Sequence, residues 1–230
     1  MQKKFANKRI SWSMVNLFFE CPRCFYKMMV LGKKRPSLEQ DLFTINNTVD
    51  SLLKSDFDTY RNRQIPHPLM AAYNIEAVPL ANGILLQWRD FNQGGISVYH
   101  ESSGFNLCGV LDDVWINDDG ELIIVDYKVT SKDISLGQRN VIPTHGRQLD
   151  MYAYILRAKG LPVHATGYCI YNTASKRQAS FDQRVEFDSI IKPHAINGAW
   201  IEPAILDMYQ CIAQKSMPLA NRRCHYCAFV

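Results

Sequence analysis

The period of the apolar positions changes several times along the chain. Met14-Val15-Asn16-Leu17-Phe18-Phe19 is a short apolar run behind Ser11-Trp12-Ser13, where a serine can cap a helix start, and it leads into Cys21. From about 41 to 61, Val49, Leu52, Leu53, Phe57 and Tyr60 recur at helical spacing, and Ile65-Pro66-His67-Pro68 stops that helix. The middle of the chain turns to β character: 96–100, 106–116 and 121–129 are rich in β-branched and aromatic residues. Residues 146–159 return to the helical period and end at Gly160-Leu161-Pro162. Further strands are predicted at 165–171 and 181–187 and a closing helix at 200–214, while the basic residues 1–10 read as a frayed end. Helices, a β-meander, a helix, strands and a helix, in that order, predict an α/β fold with a mixed sheet flanked by helices.

Composition narrows this only a little. With 230 residues, 47% hydrophobic and 21% charged, the chain has the make-up of a globular protein, and one domain over 1–230 is expected. No apolar run reaches membrane-spanning length, so no membrane partner is expected. The opening Met-Gln-Lys-Lys-Phe-Ala lacks the apolar stretch of a secretory leader, so the expectation is a cytoplasmic chain with reduced thiols. A net charge of +4 permits nucleic-acid binding without demanding it.

The seven cysteines change the picture more. Cys21-x-x-Cys24 and Cys224-x-x-Cys227 have the spacing of a four-thiolate site that ties the two ends of the chain together, with residues 11–35 and 215–230 as its subregion. Spacing alone favours Zn2+ over an iron–sulfur cluster. His225, inside the second pair, is a spare candidate better read as facing solvent. Cys108, Cys169 and Cys211 lie in apolar runs and read as small core residues.

The most informative stretch runs from Gly109 to Lys128, where two apolar strands flank Asn117-Asp118-Asp119-Gly120. If 118–120 form a three-residue loop with Gly120 in the left-handed region, Asn117 pairs with Glu121 and Asp112 with Asp126. Asp112, Asp126 and Lys128 then share one face. A two- or four-residue loop would put Asp113 there instead; glycine at the third loop position favours the first register. Paired carboxylates repel unless a cation lies between them, and hard oxygen donors suit Mg2+ or Mn2+. A face of an exposed hairpin with one Asp–Lys pair would give the same pattern.

Gly109-x-x-Asp112 followed by Asp126-x-Lys128 resembles the core of the PD-(D/E)XK nuclease superfamily, whose fold is restriction-endonuclease-like. Gln148-Leu-Asp-Met-Tyr152 and Cys21-Pro-Arg-Cys-Phe-Tyr26 resemble elements of its RecB-type exonuclease branch, which includes the CRISPR adaptation nucleases. The resemblance implies a metal-dependent DNA nuclease. Asp112, Asp126 and the carbonyl of Tyr127 would be ligands, Lys128 the catalytic lysine, Gln148 its positioning partner and Tyr152 a support. The branch usually carries a histidine ligand on an early helix; the equivalent position here is Asp50. The resemblance also implies a [4Fe–4S] cluster at the four cysteines, although relatives split them one and three rather than two and two.

Basic residues group at Lys3, Lys4, Lys8 and Arg9, at Lys27, Lys33, Lys34 and Arg35, and at Lys128, Lys132, Arg139 and Arg147; with Phe25 and Tyr26 they can track and stack on a nucleic acid. His145, just before the Gln148 helix, can reach a phosphate but reads better as a loop histidine. No helix-turn-helix or zinc-finger pattern occurs, so a single strand or DNA end is the expected partner, with a helicase or recombination partner left open. The competing readings are a non-catalytic nucleic-acid-binding module and a zinc-stabilised interaction protein on the same fold.

Overall fold

The computed structural model describes residues 7–35, 44–81, 83–130, 141–175, 177, 180 and 182–228. In chain order its elements are β1 (Arg9–Ser11), α1 (Trp12–Glu20), α2 (Pro22–Leu31), α3 (Thr44–Arg63), α4 (Pro68–Ala72), β2 (Val78–Pro79), α5 (Ile84–Trp88), β3 (Ile96–His100), β4 (Phe105–Gly109), β5 (Asp113–Ile116), β6 (Leu122–Thr130), α6 (Pro143–Ala158), β7 (Thr166–Ala174), β8 (Phe187–Ala195), α7 (Ile201–Ala213) and α8 (His225–Ala228). The chain divides into two compact units: residues 1–40, 97–109 and 197–230, and residues 41–96 and 110–196.

The first unit carries the two Cys-x-x-Cys pairs. Its sheet has the order β1-β4-β3. Arg9 pairs with Asn106 and Ser11 with Cys108 in parallel register, so residues 9–11 are a strand and not part of a frayed end. Ser11 does stand at the N-cap of α1, but its hydroxyl bonds Ser13 instead of a backbone N–H. Cys21 separates α1 from α2, whose start is set by Pro22 and whose end is set by Gly32 at φ 68. Helix α7 buries Ile205, Met208 and Ile212.

The second unit is a mixed sheet of order β2-β5-β6-β7-β8 with helices packed on it. Strands β5 and β6 are antiparallel, β6 and β7 parallel through the α6 crossover, and β7 and β8 antiparallel. Central β6 is buried through its first six residues. By the period of two, Ile123, Val125 and Tyr127 point one way, into a core with Phe57, Met70, Trp115 and Ile170. Asp126 and Lys128 point the other way. Phe57 of α3 stacks on His67 at 4.1 Å and on Trp115 at 5.8 Å between ring centroids.

Two predicted strands need correction. The run 106–116 is not one strand: β4 ends at Gly109 and β5 begins at Asp113 in a different sheet. At the break the Leu111 N–H donates to the Trp88 carbonyl, and Arg89 Nε donates to the Asp112 carbonyl at 2.9 Å. The strand expected at 181–187 lies instead at Phe187–Ala195, after Asp182 and Gln183 at positive φ. Pro193 argues against a central strand, but β8 is an edge, where a missing N–H is tolerated.

A buried charge cluster fixes the start of β5. The fully buried Asp113 carboxylate accepts from Arg61 Nη2 at 2.6 Å, Arg89 Nη2 at 2.9 Å and the Tyr127 hydroxyl at 2.8 Å. Removing one partner leaves charge uncompensated in the interior. Arg61→Met is expected to cost roughly 3 kcal/mol in urea unfolding. Asp188→Ala, at the exposed Arg177–Asp188 pair, is expected to cost under about 1 kcal/mol.

Candidate active site and cysteine cluster

The hairpin register holds as the three-residue-loop reading predicts. Asp113 pairs with Val125 and Ile116 with Leu122, Asn117 N–H donates to the Glu121 carbonyl, and Gly120 has φ 77. The same ladder continued by one step sets Asp112 opposite Asp126. Asp112 lies at the break before β5, its Oδ2 accepting the Tyr127 N–H at 2.8 Å. The Tyr127 side chain goes to the opposite face, where its hydroxyl binds Asp113.

Asp126 Oδ2 lies 2.6 Å from Lys128 Nζ. Lys128 Nζ donates to Gln148 Oε1 at 3.0 Å, and Gln148 Nε2 donates to the Tyr152 hydroxyl at 3.0 Å. Helical spacing of four on α6 makes the last contact possible. A continuous polar chain thus runs from the buried carboxylate through the lysine to the amide and phenol. On α3, Lys54 Nζ donates to Asp50 Oδ2 at 2.7 Å and lies 3.6 Å from Asp112 Oδ1. Asn46, Asn47, Asp50, Asp112, Tyr127, Lys128 and Val129 line a cleft of about 430 Å³.

Electrostatics follow from burial. Desolvation pushes the Asp126 carboxyl up to about 7, with Lys128 pulling it down and Asp112 pushing it further up. Burial disfavours the Lys128 ammonium, but Asp126 and Asp112 more than offset that and raise its pKa. Burial, then the nearby Lys128 charge, holds His145 down at about 4. His145 is in the first turn of α6 rather than in a loop, its Nδ1 2.9 Å from the Tyr171 hydroxyl. One turn on, Asp150 Oδ1 meets His194 Nε2 at 2.8 Å. The His194 ring lies over Gly146, where an added Cβ would fall 2.6 Å from Cε1. The donor chemistry fits a hard divalent cation: Asp112 and Asp126 offer carboxylate oxygens, and the buried Asp126 Oδ2 is met by the Lys128 ammonium at 2.6 Å.

The four predicted thiols also meet. Cys21, Cys24, Cys224 and Cys227 bring their sulfurs within 4.8 Å of one another, with Cys24–Cys227 at 3.4 Å, Cys24–Cys224 at 3.6 Å and Cys21–Cys227 at 3.7 Å. A tetrahedral ion with Zn–S of about 2.3 Å sets its sulfurs about 3.8 Å apart. Four irons between the sulfurs need wider spacing. Arg35 Nη2 lies 3.6 Å from Cys224 Sγ, pairs with Glu20 and packs over the Tyr226 ring. His225 is exposed and outside this group. Cys108, Cys169 and Cys211 are buried.

Sequence reasoning missed Lys54, Arg61, Arg89 and the buried role of Asp113. Only Lys54 left a local signal, an Asp–Lys pair at four-residue spacing. Of the basic residues, Lys3, Lys4, Lys132 and Arg139 lie outside the described residues. Lys8 Nζ donates to the Met29 carbonyl, and Arg35 serves the cysteine cluster.

The family model of the PD-(D/E)XK nuclease superfamily matches residues 9–230. No curated protein matches. Among solved structures, the crystal structure of SSO0001 is similar over 96% of this chain and 84% of that chain, at 17% identity and a TM-score of 0.43. No helix among the described residues is long and apolar enough to cross a membrane.

The depressed His145 pKa has a definite sign in stability. Its unfolded value is about 6.5 and its folded value about 4, so its contribution is complete above pH 6.5 and lost as pH falls toward 4. Asp126, raised to about 7, acts oppositely: its contribution is present at low pH and lost as pH rises from about 4 to 7. Without added cation, His145→Gln is therefore expected to gain stability relative to wild type as pH drops from 6.5 to 4, by at most about 1.4 kcal/mol per pH unit in urea titrations. A difference that stays constant with pH would contradict the assignment.

Proposed function

The chain belongs to the PD-(D/E)XK nuclease superfamily, and from that premise we propose that it is a divalent-cation-dependent DNA nuclease. One observation carries the proposal: Asp112, Asp126 and Lys128 converge beside an open cleft, with Lys128 held by Gln148. A membership alone would be compatible with a binding module. A buried carboxylate raised to about 7 and a lysine aligned by an amide are an arrangement suited to chemistry at a phosphate.

Asp112, Asp126 and Asp50 are the side chains that would hold Mg2+ or Mn2+, with the Tyr127 carbonyl as a further oxygen. When bound, the cation supplies a water of lowered pKa and neutralises charge on the phosphate. Lys128 stays cationic beside Asp126, so it can hold the attacking water in line and meet negative charge growing on the phosphoryl oxygens. Gln148 fixes the lysine's direction, and Tyr152 fixes the amide. Tyr127 N–H fixes the Asp112 carboxylate, and the Arg89 contact to the Asp112 carbonyl keeps the backbone there from drifting. Asn46 and Asn47 line the cleft with amides that can meet sugar or phosphate oxygens. The absence of a groove-reading motif from the sequence supports single strands or ends as substrate, and an exonuclease-like mode.

For the cysteine cluster we propose a structural metal. The sulfur spacing supports a single Zn2+; the resemblance to RecB-type nucleases supports [4Fe–4S]. Elemental analysis is expected to give one zinc per chain and a colourless protein; a brown protein with iron and sulfide would select the cluster.

Cleavage of labelled single-stranded DNA with Mg2+ or Mn2+ tests the activity. Asp126→Asn and Lys128→Ala are each expected to lower the rate by at least about 100-fold, with circular dichroism unchanged. Wild-type protein that binds DNA but cleaves none with either cation would favour the binding-module reading.

A further inference from the structure

A second lysine, which the nuclease reading does not use, contacts two of the carboxylates that line the cleft. Lys54 stands one turn after Asp50 on α3, and its ammonium lies on two carboxylates at once, 2.7 Å from Asp50 Oδ2 and 3.6 Å from Asp112 Oδ1. The other Asp112 oxygen is already held by the Tyr127 N–H, and Asp126 is paired with Lys128. Oδ1 of Asp112 is the oxygen that Lys54 approaches. The side chain of Lys54 is 24% exposed, and those of Asp50 and Asp112 are 33% and 23% exposed. Asp50 and Asp112 line the cleft, and all three groups have solvent access, so this is not a sealed core pair.

We propose that Lys54 is a built-in competitor for the divalent cation: it neutralises Asp50 and Asp112 until a cation displaces it, and the freed ammonium then serves the substrate phosphate. The proposal rests on the nuclease reading, since it takes those carboxylates as ligands. Its physical basis is simple. An ammonium and a divalent cation cannot both sit within about 4 Å of the same two oxygens without strong repulsion. Cation binding must therefore break two charge-assisted contacts. The displaced group stays tethered to α3 beside Asn46, Asn47 and Asp50, all of which line the cleft. A nucleic-acid phosphate there would offer the ammonium a new partner, so substrate and cation would each ease the other's entry. Lys54 is on this account a positioning residue that gates loading of the site. Lys128 is placed differently, because its partner Asp126 is buried and its direction is fixed by Gln148.

The test is equilibrium Mn2+ binding to the full chain, read by electron paramagnetic resonance without nucleic acid, with chelated zinc-free buffers avoided so that the cysteine site is left intact. Wild type, Lys54→Met, Lys54→Gln and Lys54→Arg are compared. Losing two partly exposed ion pairs as competitors should tighten Mn2+ binding roughly three- to tenfold in Lys54→Met and Lys54→Gln. Lys54→Arg, which keeps the charge, should stay near wild type. Unchanged or weaker binding in both neutral variants, with their circular dichroism native, overturns the proposal. Asp112→Asn separates the two levels. If it abolishes Mn2+ binding while Lys54→Met leaves it unchanged, Lys54 is not a competitor and the nuclease reading stands. If wild type binds no Mn2+ and cleaves no DNA, the nuclease reading and this inference fall together.

Discussion

The Asp113 carboxylate is a full charge in the interior, and the site geometry depends on how it is neutralised. It draws Arg61 from α3, Arg89 from just after α5 and the Tyr127 hydroxyl from β6 to one point. Neither guanidinium stops there. Arg61 also donates to the Leu80 carbonyl and to Asp58, and Arg89 to Asp58 and the Asp112 carbonyl. A misplaced helix would strand a charge away from water, at a cost of several kcal/mol, so the cluster tolerates little error in where α3 docks. Because Asp112 directly precedes Asp113, the restraint on one residue is inherited by the next. The carboxylate on one side of the sheet is anchored by the ion cluster on the other.

The same strand carries this logic across the sheet. Alternation along β6 sends Tyr127 to the ion cluster and its neighbours Asp126 and Lys128 to α6. One strand therefore carries the anchor on one face and the Asp126–Lys128 pair on the other. Asp126 is costly to bury, and that cost is what raises its pKa; Lys128 offsets part of it. The buried Asp126 carboxyl is thus set on one face of the sheet, and the reverse face carries the stacked rings of His67, Phe57 and Trp115.

Much of this was legible in the residues. Asn-Asp-Asp-Gly with apolar flanks fixes a loop length, glycine selects the register, and a period of two then sorts every side chain from 112 to 128. The cysteine pairs were legible because paired thiols at that spacing have few other uses. What could not be read was the long-range pairing. Arg61 and Arg89 reach Asp113 across 52 and 24 residues, and nothing local marks an arginine as buried. Nor could strand β8 be placed, because Pro193 argues against a strand until the sheet edge that tolerates its missing N–H is known. The break at 110–112 was hidden because apolar residues continue through it, while the chain changes sheets.

Gly146 gives the crossover helix an unusual kind of specification. The His194 ring rests where a side chain at 146 would begin, and its Nε2 is held by Asp150 one turn further along. The separation of α6 from the sheet is thus set by an atom that is missing rather than by one that is present. Gln148 stands between those two contact points on the helix, so the aim of the amide at Lys128 is indexed to a hole. A single methyl at position 146, far too small to disturb the fold's topology, would act as a wedge under the lever that points the lysine.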